Sequence, residues 1–337
     1  MRLTREEKTN YSPEYRYKET DFMKKMKAQV VESPDNMVYK DVPIPQIGTD
    51  EVLVKVKYCG ICGSDWSIYK GYYAAEKLPL ITGHEFWGTI EEMGENVTGL
   101  KIGDRVAVDL CLCCGTCYFC RRGDGLLCQT FTQLGIHTDG GFAEYVKAPA
   151  DNCYIIPDEI DDYAATFIEP LTTAIEASKR MDCELGSSVV VIGCGLGIIH
   201  ASMAKLRGAT PVIIVGDNPD RLAVAAKMGI DYCVDINKTP DAVAEVMKLT
   251  NGIGADYVIE AVGTPKTYEQ ALPCCGAAER SRHSAYAHRA MQPRCLHMSL
   301  CLVKRKFQAH APASDSTGAS LLTCSSIKGS IHPVCIR

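Results

Sequence analysis

The sequence predicts an α/β protein in two parts, a β-rich domain followed by a doubly wound parallel sheet that is cut short. Three observations carry this expectation. Residues 26 to about 157 run as short β-rich stretches between Gly, Pro and Asp turns. From about residue 187 to 263, apolar β-branched runs alternate with helical ones. At Pro273 both patterns stop and the composition changes abruptly.

Residues 1–25 are charged and aperiodic, and are expected to form a disordered extension. From "MKAQVV" onward, runs such as "EVLVKVKY", "GTIEEMG" and "DRVAVDL" read as strands. "AATFIEPLTTAIEASKRM" has the apolar spacing of a helix and closes a first domain over 26–172. "SSVVVIG", "TPVIIVGD", "DYCVDI" and "ADYVIEAVG" then alternate with the helical stretches "GIIHASMAKLRG", "PDRLAVAAKMG" and "TPDAVAEVMKLT". Strands without polar alternation, separated by helices, are what a parallel sheet covered on both faces requires. Residues 173–272 therefore read as half or more of a Rossmann-type domain.

The tail, 273–337, holds nine Lys or Arg against two acids, a net +7, while the rest of the chain carries −12 of the total −5. No strand or helix period is evident there before short runs such as "MSLCLV", so "DYVIEAV" is expected to form an unprotected sheet edge.

The chain of 337 residues has room for two cores, since domains usually hold roughly 100 to 200 residues. An apolar fraction of 46% and a charged fraction of 23% describe an ordinary soluble protein. No apolar run approaches the roughly 20 residues of a membrane helix, and the first residues lack the apolar centre of a signal peptide. A cytoplasmic location with no membrane partner is expected. The overall negative charge argues against nucleic acid. Eighteen cysteines without an export signal point to metal-binding or reduced thiols rather than disulfides.

Chemistry gathers at three places. "CGICGSDWS" holds Cys59 and Cys62, which alone could be a zinc knuckle, a redox pair or one working cysteine. "GHEFWGTIEEMGENV" adds His84 and Glu85, and imidazole, carboxylate and thiolate together are ligand types of a catalytic Zn2+ with one position open. "CCGTCYFCRRGDGLLC" spaces Cys114, Cys117, Cys120 and Cys128 as four thiolates able to close a structural Zn2+ shell, an iron–sulfur cluster being the competing reading. Cys111 and Cys113 are surplus to that set. "VVVIGCGLG" follows a buried strand and opens a helix, where a dinucleotide pyrophosphate binds backbone amides. Asp217, ending "VIIVGD", suits a ribose 2′-hydroxyl and opposes a 2′-phosphate, which favours NAD over NADP. Arg221 on its own reads as a solvated helix charge. The loop reads Gly193, Gly195 and Gly197, with Ile198 where the fingerprint requires glycine. That shortening is expected to tilt the helix N-terminus and crowd the pyrophosphate.

In their order, "CGICGSD", GHE-x2-G-x5-G-x2-V, "DGGFAEYV" and "FIEP" resemble the zinc-dependent medium-chain alcohol dehydrogenase family over about residues 26–272. The glutamate in "FIEP", where alcohol dehydrogenases proper have cysteine, makes the chain more similar to the sorbitol, threonine and butanediol dehydrogenases. The resemblance implies a GroES-like β-rich catalytic domain joined to the incomplete Rossmann domain. It implies two zincs per chain: a catalytic one on Cys62, His84 and either Glu85 or Glu169, and a structural one on Cys114, Cys117, Cys120 and Cys128. The carboxylate that does not bind directly would hold the metal-bound water. The same resemblance implies NAD as cofactor, a secondary alcohol or polyol as substrate, and Ser64 as the hydroxyl that takes the substrate proton. By the same resemblance Arg221, the alternative to a solvated charge, is a neighbour of the adenosine, where the family often has a basic residue. Ser67 stands where the family often has a relay histidine, and Trp66, Ile68 and Tyr69 would shape the substrate pocket. Family members form homo-oligomers through strands that nothing after Pro273 matches. The alternative reading is an inactive or truncated zinc-binding remnant of such an enzyme.

Overall fold

The computed structural model describes residues 24–181 and 183–276, with backbone alone at 180 and at a short strand, 301–304. The charged segment at the N-terminus and the rest of the basic tail lie outside the described residues. The chain divides into two compact units, Met1–Glu169 and Pro170–Arg337. No helix among the described residues is long and apolar enough to cross a membrane.

In the first unit the strands are β1 (Lys25–Ser33), β2 (Asn36–Pro43), β3 (Glu51–Gly60), β4 (Leu80–Ile81), β5 (Glu85–Met93), β6 (Arg105–Val108), β7 (Cys111–Leu112), β8 (Thr132–Gln133), β9 (Tyr145–Pro149) and β10 (Cys153–Ile155). Its helices are α1 (Gly63–Tyr69), α2 (Tyr118–Arg121) and α3 (Asp162–Thr166), and α4 (Ile168–Met181) begins at its end. The main sheet has the order β10-β6-β5-β3-β9 and all its pairs are antiparallel. Alternation along β3 sends Val52 and Val54 into one core with Ile90, Val106, Val108, Val146 and Ile68. Ile68 is thus a fully buried core residue, not the pocket residue expected from sequence, whereas Trp66 is exposed.

The second unit contains β11 (Val189–Ile192), α5 (Gly197–Leu206), β12 (Val212–Gly216), α6 (Pro219–Lys227), β13 (Tyr232–Asp235), α7 (Ala242–Leu249), β14 (Tyr257–Glu260), α8 (Pro265–Cys274) and β15 (Cys301–Lys304). The parallel order β13-β12-β11-β14 is the first half of a doubly wound sheet. Its alternate residues feed separate cores. Val189, Val191, Val212, Ile214 and Ile259 pack with Ala201, Ala204, Leu222 and Ala225 of α5 and α6. Val190, Ile192, Ile213, Val215 and Val258 pack with Ala242, Val246, Ala271 and Cys274 of α7 and α8. Burial on both faces is why these strands show no polar alternation in the sequence.

The exposed edge expected at "DYVIEAV" does not occur. β15 pairs antiparallel with β14, from Tyr257 opposite Lys304 to Glu260 opposite Cys301. A strand need only offer backbone N–H and C=O groups to do this, and the end of the short run "MSLCLV" supplies them despite the irregular composition around it.

Candidate metal centres and glycine loop

β3 delivers the first centre. Its last residue, Gly60, lies opposite Glu85, the first residue of β5. A Cβ at position 60 would fall 2.5 Å from Glu85 Oε2, so glycine leaves the space the carboxylate occupies. Two residues on, Cys62 caps α1: its N–H donates to Asp65 Oδ2 at 2.8 Å, the reciprocal bond of a capping box. The Gly83 N–H donates to the other oxygen, Asp65 Oδ1, at 3.0 Å. One buried carboxylate therefore ties the Cys62 turn to the segment that presents His84. In "CGICGSD" the signal that marks Asp65 is an acid three residues after a helix cap.

His84 is fully buried, with Nε2 3.5 Å from Ser64 Oγ, and Ser64 Oγ donates to Cys62 Sγ at 3.2 Å. His84 Nδ1 lies 3.6 Å from Asp65 Oδ1, too far for a hydrogen bond, so Asp65 acts there as a nearby charge. Burial pulls the imidazole pKa down, but Asp65 and Cys62 outweigh it and hold it at about 10. Burial raises the Glu85 carboxyl, with His84 and Cys62 opposing. It also keeps Cys59 well above the usual thiol range, as suits an inert thiol rather than a reactive partner for Cys62.

The ligand atoms of Cys62, His84 and Glu85 all lie within 4.8 Å of one another. Glu169, in the first turn of α4, is not part of that group. Three unlike donors this close, largely withdrawn from water, fit a divalent cation, which replaces the imidazole proton and balances the thiolate and carboxylate.

The second centre is a lobe of short elements. The Sγ atoms of Cys114, Cys117, Cys120 and Cys128 lie within 4.8 Å of one another, with Cys114 to Cys120 at 3.9 Å and Cys117 to Cys120 at 3.5 Å. A tetrahedral shell at a Zn–S distance of about 2.3 Å has S···S edges of about 3.8 Å, so the spacing fits zinc. Main-chain amides also point at the sulfurs: Cys117 N–H donates to Cys114 Sγ and Cys114 N–H to Cys128 Sγ, both at 3.3 Å. These amides and Thr116 favour a thiolate at Cys114, whereas burial and the neighbouring thiols push Cys120 up. Four thiolates cannot share this space without a cation. Of the surplus cysteines, Cys113 donates to Gly125 O at 3.2 Å, outside the four-sulfur group.

In the second unit the three glycines of the candidate loop differ in what surrounds them. Gly193 has φ +110° and abuts Val262, whose Cγ2 would lie 2.8 Å from an added Cβ. Gly197 packs α5 onto β11, where a Cβ would approach Val191 Cγ1 to 3.0 Å. Around Gly195 only Arg221 Nη1 comes within 4 Å of a Cβ, at 3.6 Å, which leaves the backbone open to a ligand. Tight turn, open approach and close helix packing are the three roles the fingerprint demands. Gly197 has the close packing of the third, although the fingerprint's own third position is Ile198. Asp217 follows β12, and the Cys194 thiol donates to its Oδ1 at 3.8 Å.

Both units match known domains. Residues 48–158 match the alcohol dehydrogenase GroES-like domain and residues 195–305 the zinc-binding dehydrogenase domain, so the likeness runs past residue 272 and through β15. These are the two domains of a zinc-binding dehydrogenase. L-threonine 3-dehydrogenase of Bacillus subtilis is 40% identical over 239 residues, covering 70% of this chain and 68% of that enzyme. The crystal structure of the alcohol dehydrogenase RspB from Escherichia coli CFT073 complexed with NADH has a TM-score of 0.68 at 34% identity, over 76% of this chain and 74% of that one. A zinc-binding dehydrogenase from Sinorhizobium meliloti 1021 bound to NADP has a TM-score of 0.69 at 34% identity, over 76% and 75%. The chain belongs to the zinc-dependent medium-chain alcohol dehydrogenase family.

Proposed function

We propose that the chain transfers hydride between a secondary alcohol or polyol and NAD, with one zinc on Cys62, His84 and Glu85 and a second on Cys114, Cys117, Cys120 and Cys128. The observation that carries this reading is the group of a buried thiol, a buried imidazole and a half-buried carboxylate within 4.8 Å. Three protein ligands leave a tetrahedral cation one position for substrate, the arrangement of catalytic rather than structural zinc.

Zinc at this site supplies a Lewis acid that lowers the pKa of the substrate hydroxyl, and NAD supplies the hydride acceptor. Ser64 Oγ, within 3.5 Å of both Cys62 Sγ and His84 Nε2, is placed to take the hydroxyl proton. Ser67 does not continue the relay, because its hydroxyl donates to Gly63 O at 3.0 Å within its own helix. Any relay beyond Ser64 would therefore have to use groups other than Ser67. Asp65 fixes the Cys62 turn and, through the Gly83 N–H, the segment that carries His84. Glu169, outside the three-atom group, is assigned no zinc bond.

Asp217 selects NAD over NADP, since its carboxylate would face the 2′-phosphate, and bringing like charges together costs several kcal/mol. Purified protein should oxidise sorbitol, 2,3-butanediol or threonine with NAD at a kcat/KM at least about 100-fold above that with NADP. Asp217→Asn should narrow that gap. Turnover that prefers NADP would overturn the cofactor assignment. Two zincs without NADH binding would support the inactive remnant.

A further inference from the structure

Glu260 is almost fully buried at the carboxyl end of β14, and nothing in the proposed chemistry uses it. A carboxylate withdrawn from water needs strong hydrogen-bond partners. Here they are consecutive main-chain amides: Val262 N–H donates to Oε1 at 2.8 Å, and Gly263 N–H donates to Oε1 at 3.0 Å and Oε2 at 3.1 Å. Gly263 has φ +85°, so the two amides form a concave anion nest filled by the chain's own carboxylate. The turn at 261–263 is held as if clamped.

What the clamped turn touches gives Glu260 a consequence beyond its own neighbourhood. Glu260 lies beside Ile192, the residue before the glycine loop, and Ala261 N–H donates to Ile192 O at 2.8 Å. An added Cβ at Gly193 would be 2.8 Å from Val262 Cγ2 and 3.1 Å from Ala261 O, and one at Gly197 would be 3.7 Å from Ala261 Cβ. The turn is therefore a wall against both ends of the loop whose middle, Gly195, is open. A loop one residue short of the usual fingerprint has less chain of its own to define its path, so external support matters more to where its amides point.

We propose that Glu260 is a positioning residue for the dinucleotide: by clamping the 261–263 turn against Gly193 and Gly197, it sets the glycine loop for the pyrophosphate. This rests on the reading of the loop as an NAD site. The experiment compares wild type, Glu260→Gln and Val262→Gly, using NADH, ADP-ribose and adenosine as probes. Calorimetry gives Kd for the first two and ligand-observed NMR for adenosine, with zinc content and thermal melting as checks on folding. Gln can accept only on its carbonyl oxygen, so Glu260→Gln should weaken NADH and ADP-ribose together by about tenfold. Val262→Gly, which removes the wall contact but leaves the nest, should weaken both by a smaller common factor. Adenosine binding should stay within about twofold, because it does not engage the pyrophosphate loop.

An unchanged Kd for NADH in folded Glu260→Gln would overturn the proposal, as would adenosine weakened as much as ADP-ribose, which marks general loosening. If Glu260→Gln loses its zinc or its cooperative melt, Val262→Gly decides alone by the same criteria. A wild-type chain that binds no NADH would sink the dehydrogenase reading and this inference with it, whereas wild-type binding with indifferent variants would sink this inference only.

Discussion

Cys62→Ser should leave a folded protein with one zinc per chain and turnover reduced on the order of 1,000-fold or more. The serine oxygen is not ionised near neutral pH and is a harder, weaker donor than the thiolate it replaces. His84 and Glu85 then hold two ligand positions where a catalytic zinc needs three. Loss of Lewis-acid assistance removes several kcal/mol of transition-state stabilisation, and each 1.4 kcal/mol is about tenfold. Folding should survive because serine is nearly isosteric, and the Cys62 N–H to Asp65 bond is made by the backbone. Metal content and initial rates on the same preparation check the result. Two zincs with undiminished turnover would remove Cys62 from the site.

The second large effect is on stability and belongs to the four-cysteine lobe. Its regular elements are two-residue strands, the four-residue α2 and one three-residue 3-10 turn, Gly125–Leu127, and Tyr118 and Leu126 are exposed. So little apolar surface is buried that neither a core nor helix propensity can order it. In closed thiolate sites the metal supplies the folding energy, by about 10 kcal/mol or more in isolated zinc peptides. Cys120→Ser, or a strong chelator, should therefore unfold the stretch from 113 to 128, open it to proteolysis and lower the melting temperature. The β3 and β5 core should remain. Acid should act in the same direction, because protons compete with zinc for the thiolates and affinity falls as pH falls. A lobe that stayed protease-resistant without zinc would contradict this account.

Much of the architecture could be read in the sequence wherever one physical cause dominates locally. The period of two in "EVLVKVKY" is the inward face of β3, and the unbroken "VVVI" is a strand buried on both faces. Cysteine spacing marked the lobe because a tetrahedral shell limits how far apart thiolates on a short loop can lie. What escaped the sequence reading depended on residues far apart in the chain. Spacing could not choose between Glu85 and Glu169, since that turns on which carboxylate the sheet register brings to Cys62 and His84, with Gly60 making room for Glu85. The role of Asp65 rests on its two oxygens joining segments about twenty residues apart, Cys62 and Gly83, which the motif "CGICGSD" does not show. Ile68 sits between exposed Trp66 and half-buried Tyr69 in the sequence, yet the turn of α1 sends it alone into the core. The pairing of β15 with β14 spans about forty residues, α8 and then a stretch of irregular composition, a separation no local period could signal.

The most direct test of the central claim measures zinc content and NADH production on one purified sample, with sorbitol, 2,3-butanediol and threonine offered in turn. Two zincs per chain are expected, with substrate-dependent NADH formation that stops when the Cys62, His84 and Glu85 zinc is removed and returns when it is restored. Two bound zincs with no NADH formed from any of the three substrates, and no NADH binding, would contradict it.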